Sequence, residues 1–131
     1  MTTGSSDPTR SSAAGSALDD HLPLSTSDFH VLLVLAERDL YGYALMQAVE
    51  RESGGVVTPD LGALYRALAR LERGGLVEEA ASPEDAAPSP GRQRRYYGIT
   101  GLGRRVLAAE ASRLRSAVEL ATLRLAPGLT P

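Results

Sequence analysis

Apolar residues recur with helical spacing through the first half of the chain. A predicted first helix begins at residues 25–27, whose side chains can accept the free N–H groups of its first turn. Its predicted buried stripe consists of Phe29, Leu32, Leu33, Leu35 and Ala36. After a short turn at residues 39–42, the segment GYALMQAVERESGG predicts a second helix that ends at Gly54 and Gly55.

A third helix with two different faces follows. Thr58 or Asp60 can cap its start, and Gly74 with Gly75 ends it. The face predicted to pack in the core consists of Leu61, Leu64, Leu68 and Leu71. The predicted outward face carries Gly62, Ala63, Ala67 and the arginines Arg66, Arg70 and Arg73. Such a pattern suits a helix in the DNA major groove, and it is also typical of an ordinary amphipathic helix with a solvated arginine face.

Strand spacing replaces helical spacing after residue 75. Residues 76–80 and 93–99 predict the two strands of a hairpin around a loop rich in proline and alanine. Alternation places Arg94 and Tyr96 on one face of the second strand, and Arg95 and Tyr97 on the other. We expect one tyrosine ring to pack inward and the other to lie near the arginines.

A long terminal helix is predicted from Thr100, its capping residue, to Pro127. Its apolar positions form a heptad-like seam: Leu107, Ala111, Leu114, Val118, Ala121 and Leu125. A lone helix of about 25 residues is marginal unless it packs, and no second helix of the chain matches this seam. We therefore predict a homodimer through the seam. The alternative is that the helix packs back onto the first helix of its own chain.

Composition excludes several kinds of chemistry. The chain has no Cys and no Lys, which rules out disulfides, thiolate metal sites, a P-loop lysine and Schiff-base chemistry. Its two His lie in the N-terminal tail and the first helix, without a triad context, so we expect no enzyme, no cofactor and no metal site. No apolar run approaches the roughly 18–20 residues of a membrane span, and no secretory signal is recognisable, so we expect a cytoplasmic protein.

Charge is unevenly distributed, although the formal net charge is only −2. Residues 1–60 contain three Arg and nine acidic residues, whereas residues 61–131 contain eleven Arg and seven acidic residues. Clustered arginines attract nucleic acid, because each can bind phosphate or guanine in a bidentate manner. For the hairpin arginines, the alternative is a solvated edge that prevents sheet aggregation. The predicted DNA-contacting residues are Gly62, Ala63, Tyr65, Arg66, Arg70, Arg92, Arg94 and Arg95.

These elements together predict a mainly α fold with a small β-hairpin, namely a winged helix-turn-helix plus a C-terminal dimerisation helix. The predicted divisions are a disordered N-terminal tail at 1–22, a DNA-binding domain at 23–100, the dimerisation helix at 101–126 and a tail at 127–131. A two-fold dimer would present two copies of the third helix to one pseudo-palindromic operator in double-stranded DNA.

Three segments resemble PadR-family transcriptional regulators, in the short form with a single C-terminal helix. They are LYGYALMQAVERESGG at 40–55, LGALYRALARLERGGLVEE at 61–79 and RRYYGITGLGRRVL at 94–107. Members often have Pro, Gly and a hydroxyl residue where this chain has Leu61, Gly62 and Ala63, and a Pro where it has Arg66. The operator preference of another member therefore cannot be copied onto this chain.

The resemblance implies a homodimeric repressor that loses DNA affinity when a small molecule or other signal arrives. It also implies that Tyr65 contacts the DNA backbone, and that residues 92–95 form the basic wing. An effector could occupy a dimer channel lined by Phe29, Leu33, Leu114 and Val118, and the alternative is a filled core. The alternative function is a winged-helix module that binds protein without contacting DNA.

Overall fold

The computed structural model of the protein describes residues 18–82 and 94–126. Over these ranges, helices surround a small sheet. The helices are α1 (Thr26–Leu35), α2 (Gly42–Glu52), α3 (Leu61–Arg73) and α4 (Gly101–Leu125). The strands are β1 (Leu40–Tyr41), β2 (Val77–Ala80) and β3 (Tyr96–Ile99). The architecture confirms a mainly α fold with a wing and a long C-terminal helix.

The packed part of the chain begins before residue 23. Leu18, Leu22 and Leu24 pack against the core, and His21 lies beside Gly74 at the end of α3. The predicted boundary of the N-terminal tail is therefore wrong over residues 18–22, because these leucines bury apolar surface. Residues 1–17 of that tail lie outside the described residues.

Side-chain caps define the starts of α1 and α3. Ser25 Oγ accepts a hydrogen bond from the N–H of Asp28 at 3.0 Å, which places Asp28 in the first turn of α1. Of the two candidate caps for α3, Asp60 is the one used: its Oδ1 accepts the N–H of Ala63 at 2.7 Å. These caps fix where each helix begins and hence which face it presents.

Thr100 joins the end of α3 to the start of α4. Its Oγ1 accepts the N–H of Gly103 at 2.9 Å, and its hydroxyl donates to the carbonyl oxygen of Gly75 at 2.6 Å. Gly75 has φ +78°, a conformation that favours glycine and ends α3 as the sequence predicts. One threonine therefore holds the wing and the C-terminal helix in register with α3.

The sheet has three antiparallel strands in the order β1-β3-β2, rather than the two of the predicted hairpin. The added strand is β1, which was predicted to be only a turn and which pairs Leu40 with Tyr97 and Tyr41 with Tyr96. Two residues are too short for an alternation pattern, so pairing with β3 is what makes them a strand. As a result, Tyr41, which immediately precedes α2, belongs to the same sheet as the wing strands β2 and β3.

The core is mainly aliphatic, includes Tyr97 of β3, and lies between the helices and the sheet. The prediction for α1 is partly wrong: Leu33 is 41% exposed, whereas Val31 and Val34 are buried. Phe29 and Ala36 are half-buried. Since residues 31–36 are all apolar, their periodicity cannot select a face, and packing against α2 and α4 decides it.

The predicted core face of α3 is correct for Leu64, Leu68 and Leu71, which are buried. Leu61 is instead 39% exposed, and Ala67, expected on the outward face, is 5% exposed. A small side chain is compatible with either face, so contact with neighbouring elements determines its position. The exposed face of α3 therefore includes Leu61 and excludes Ala67, contrary to the prediction.

The N-terminal half of α4 packs against its own chain, and the C-terminal half does not within the described residues. Gly103, Val106 and Glu110 are buried, whereas residues 115–126 are all exposed. Of the predicted seam, Leu107, Ala111 and Leu114 are half-buried, and Val118, Ala121 and Leu125 are exposed. Packing onto α1 of the same chain therefore accounts for the beginning of the seam only.

Glu110 is a buried carboxylate with a full set of partners. Arg113 donates to both of its oxygens, from Nε to Oε1 at 2.7 Å and from Nη2 to Oε2 at 2.8 Å. These bonds, with a backbone hydrogen bond from Leu24, lower the pKa of Glu110, although burial acts in the opposite direction. Because the folded-state pKa is the lower one, the stabilisation is present at neutral pH and is lost as the pH falls through that pKa.

No helix in the described part of the chain combines the length and the apolar character needed to cross a membrane.

Candidate nucleic-acid interface

The centre of the exposed face of α3 is a line of alternating small and basic residues: Gly62, Arg66, Ala69 and Arg73. Arg66 and Arg73 are seven residues apart, so about two helical turns bring them to nearly the same direction. Within the described residues, neither forms an ion pair. The line therefore offers two unneutralised guanidinium groups, between which small residues allow close approach.

Two members of this line, Ala69 and Arg73, are absent from the sequence-predicted interface. The sequence places Arg73 on the arginine face, but the predicted DNA-contacting residues include only Arg66 and Arg70 of that face. Helix geometry alone could have shown that Arg73 is closer to Arg66 in direction than Arg70 is. Arg73 lies about 20° from the direction of Arg66, whereas Arg70 lies about 40° from it on the other side.

Gly62 and Ala63 lie in the first turn of α3, as predicted. Gly62 is exposed, and Nη1 of Arg66 folds back to within 3.4 Å of the position that a Gly62 side chain would occupy. Ala63 is half-buried, and its N–H is used by the Asp60 cap. Gly62 thus leaves room for the guanidinium of Arg66 at the start of the helix, while the N–H of Ala63 is already occupied.

Tyr65 joins three elements and still reaches the surface. Its hydroxyl packs over Gly42 at the start of α2, where any side chain would collide with it. Its ring lies 6.5 Å from that of Tyr97 in β3, at an angle of 59°. The side chain remains 40% exposed, and the capping residue of α2 makes no side-chain hydrogen bond. The Tyr65 hydroxyl and the start of α2 therefore lie together.

Arg70 points away from the line, towards α1. Its Nη2 donates to Oδ1 of Asp28 at 2.7 Å, and the Asp28 side chain is only 11% exposed, against 54% for that of Arg70. The structure brings together two residues 42 positions apart in the chain. Arg70 is thus already bound to a carboxylate at the place where the sequence predicted a free cation for DNA.

The two described wing arginines lie on opposite faces of the sheet, as strand alternation predicts. Arg94 stacks on the ring of Tyr41, with Cζ 4.4 Å from the ring centroid. Arg95 forms an ion pair with Glu79 at 3.3 Å. Arg92, the third predicted wing residue, lies outside the described residues.

Both wing tyrosines, Tyr96 and Tyr97, are buried. The prediction that only one of the two rings packs inward is therefore wrong. Tyr96 packs edge-on against Tyr41, the ring on which Arg94 stacks. Burial raises the pKa of Tyr97, against the effect of Arg95. A hydrogen bond to Tyr97, together with the charge of Glu79, raises the pKa of Arg95. Arg94 is therefore oriented by an aromatic ring, and Arg95 by its ion pair with Glu79.

The residues of the predicted effector channel lie on two helices, α1 and α4, of the single chain. Phe29 and Leu33 lie on α1, while Val118 belongs to the exposed half of α4. An open depression of about 440 Å³ involves Val118, Glu119, Thr122 and Leu123, and none of the other three predicted channel residues is among these four. Over residues 18–82 and 94–126, no group of three carboxylate or imidazole side chains could hold a metal ion.

The helices α2 and α3 form a pair, and the strands β2 and β3 follow them as a wing before the long helix α4. This order of elements defines a winged helix-turn-helix protein. The model of the transcriptional regulator PadR-like family matches residues 31–109, more than half of the chain. The chain therefore belongs to the PadR-like family of transcriptional regulators, which is a family of regulators rather than of enzymes.

The chain is also similar to individual proteins. Over 81 residues, which are 62% of this chain, it is 42% identical to an uncharacterized 37.1 kDa protein in transposon TN4556 of Streptomyces fradiae. The matched part spans only 21% of that larger protein. A PadR family transcription regulator from Clostridium difficile is 25% identical, with a TM-score of 0.62 over 77% of this chain and 99% of that one.

A structure of Bacillus subtilis PadR in complex with operator DNA shares the fold. The identity is 18% and the TM-score 0.56, and the match covers 66% of this chain and 47% of that one. At this identity the likeness extends to the fold alone.

Proposed function

We propose that this chain is a sequence-specific regulator that binds double-stranded DNA as a homodimer. The observation that carries the proposal is the Gly62–Arg66–Ala69–Arg73 line on the exposed face of α3. A helix enters the major groove when one face packs on its domain and the other is slender and offers donors. The opposite face of α3 packs on the domain through Leu64, Leu68 and Leu71. The line itself offers donors, because its two arginines have no ion-pair partner among the described residues.

The start of α2 supports a backbone contact beside the groove. A phosphate placed there would meet the hydroxyl of Tyr65 and the free N–H groups of the first turn of α2, which no side chain caps. This is the role that the family resemblance implies for Tyr65. A contact of this kind fixes the register of α3 without reading sequence.

The wing supplies further cations in the proposed complex. Arg94 is stacked on Tyr41, so its guanidinium is oriented at little entropic cost when it meets a phosphate. Arg95 is partly neutralised by Glu79, and both side chains of that pair are more than half exposed, so the pair can exchange for a phosphate. We assign the wing, including Arg92, to sequence-independent backbone contacts.

The exposed end of α4 supports the homodimer. Val118, Leu120, Leu123 and Leu125 are 47–74% exposed, which leaves a helix of about three turns with uncovered apolar residues. A segment of this kind is marginal in water without a partner. A second copy that covers it would place two α3 helices for a two-fold site.

Removal of the wing cations tests the backbone contacts. We expect the Arg94→Ala/Arg95→Ala variant to bind all duplexes more weakly, and to flatten the plot of log affinity against log salt by about 0.9 per lost phosphate contact. Fluorescence anisotropy between 50 and 300 mM salt, about the range in which such slopes are measurable, is the readout. An unchanged affinity at every salt concentration would show that the wing does not contact DNA.

Arg38→Ala/Arg51→Ala is the matched control for this experiment. Like the wing variant it removes two exposed arginines, one of them paired with a surface glutamate, but outside α3, the wing and the exposed end of α4. The control is expected to keep the wild-type slope, which separates a local wing effect from a change in overall charge. If wild type itself binds no duplex at low salt, the alternative function, a winged-helix module that binds protein, is favoured.

We further propose repression as the direction of regulation, with release by a small molecule or other signal. The support is the family resemblance, and the half-exposed Leu33 and exposed Val118 are the available apolar residues for an effector between two chains. Transcription from a template that carries the bound site, measured with and without the protein, decides the direction.

A further inference from the structure

The ion pair between Arg70 and Asp28 differs from the other arginine contacts of the interface. Asp28 lies in the first turn of α1, with its own N–H bound to Ser25, and its carboxylate is largely shielded from solvent. The positive end of the α1 dipole stabilises a carboxylate at this position. Asp28 is therefore a fixed negative charge beside the DNA-facing helix.

We propose that Asp28 is an internal counter-charge that withholds Arg70 from DNA and so limits sequence-independent binding. The inference rests on the proposed DNA-binding function and deepens it, because it assigns a specificity-determining residue that makes no contact with DNA. It also removes Arg70 from the DNA-contacting residues predicted from the sequence.

The physical basis is charge balance. A free arginine that meets a phosphate neutralises one charge and releases condensed counterions, which strengthens binding to every sequence. The Arg70–Asp28 pair has no net charge, so bringing it to the backbone releases little. Binding then depends more on Arg66 and Arg73, whose direction on α3 is towards the groove.

The exposure of the two partners makes the arrangement testable. The Arg70 side chain is 54% exposed, so it can turn towards solvent once Asp28 no longer holds it. Asp28 is 11% exposed, so loss of Arg70 leaves a shielded carboxylate without its partner. The Arg95–Glu79 pair is not equivalent, because both of its side chains are more than half exposed and water screens them.

The experiment compares Asp28→Asn, Arg70→Gln and the double variant with wild type, and uses Arg66→Gln as the reference for a contacting arginine. The probes are a duplex selected by the wild-type protein and a random-sequence duplex of equal length. Affinity is measured across salt concentrations, and thermal unfolding shows that each variant is folded.

We expect Asp28→Asn to bind the random duplex about fivefold more tightly at 0.1 M salt and to steepen the salt slope by about 0.9. Its preference for the selected duplex should fall. Arg70→Gln should keep the wild-type slope, and the double variant should return to it. Asp28→Asn should unfold at a higher temperature than Arg70→Gln, because only the latter leaves a shielded carboxylate unpaired.

Two results would overturn the inference. One is that Arg70→Gln flattens the slope as much as Arg66→Gln does, which would make Arg70 a direct contact. The other is that Asp28→Asn leaves the slope and the random-duplex affinity unchanged. Absence of binding by wild type to either duplex would instead refute the proposed function itself, so the two failures are distinguishable.

Discussion

Replacement of Gly103 by alanine is expected to lower the free energy of unfolding by about 3 kcal/mol, the upper end of the usual cost of forcing an extra group into a close-packed site. Gly103 is buried in the first turn of α4, and a side chain there would collide with the carbonyl oxygen of Leu76 and with the side chain of Ile99. A backbone oxygen cannot rotate away, so α4 would have to move off the sheet. For a domain of this size the unfolding temperature should fall by more than about 10 °C.

Gly101→Ala is the matched control for that substitution. Gly101 lies two residues earlier in the same helical turn and is exposed, and the nearest atom to an added side chain would be Nη1 of Arg105 at 3.8 Å. Alanine should leave stability unchanged or raise it by up to about 1 kcal/mol, through its better helix propensity. Equal unfolding temperatures for the two variants would mean that α4 does not approach the sheet as closely as described.

The second large effect is expected at Arg66. Arg66→Ala should weaken binding to the selected duplex by about 1–3 kcal/mol, or roughly five- to 150-fold, and weaken binding to a scrambled duplex far less. Arg66 lies on the exposed line of α3, and its guanidinium lies beside Gly62 in the first turn of the helix. In the proposed complex this end of the helix would contact the base edges. An arginine so placed can bind guanine in a bidentate manner.

Anisotropy titrations of both duplexes measure this difference. Arg51→Ala serves as the control, since it removes the same charge from the last turn of α2, where Arg51 is exposed. An equal loss of affinity for the selected and scrambled duplexes would contradict base reading and would make Arg66 a backbone contact.

Features that depend on a few neighbouring residues were predictable from the sequence. Thr100 was predicted as a cap from its side-chain chemistry, and Ser25 and Asp60 were each among the predicted candidates. The opposite directions of Arg94 and Arg95 follow from strand alternation. Family segments with the right order and spacing predicted the winged helix-turn-helix fold.

Features that depend on contact between distant segments were not predictable. Leu33 and Val34 are equally apolar neighbours, and only the positions of α2 and α4 decide that Val34 is buried and Leu33 is exposed. Arg70 and Arg73 are chemically identical on the same helix. Arg70 differs only because the fold places Asp28, 42 residues earlier in the chain, within hydrogen-bond distance of it.

The central claim is that the exposed face of α3 reads duplex DNA and that two copies of the chain act together. Selection from a random duplex pool by the wild-type protein at low salt tests it most directly. We predict enrichment of a sequence with two-fold related half-sites, their centres about 10 base pairs, or one helical turn, apart or a multiple of that distance. A pool that remains random after repeated rounds would contradict the account.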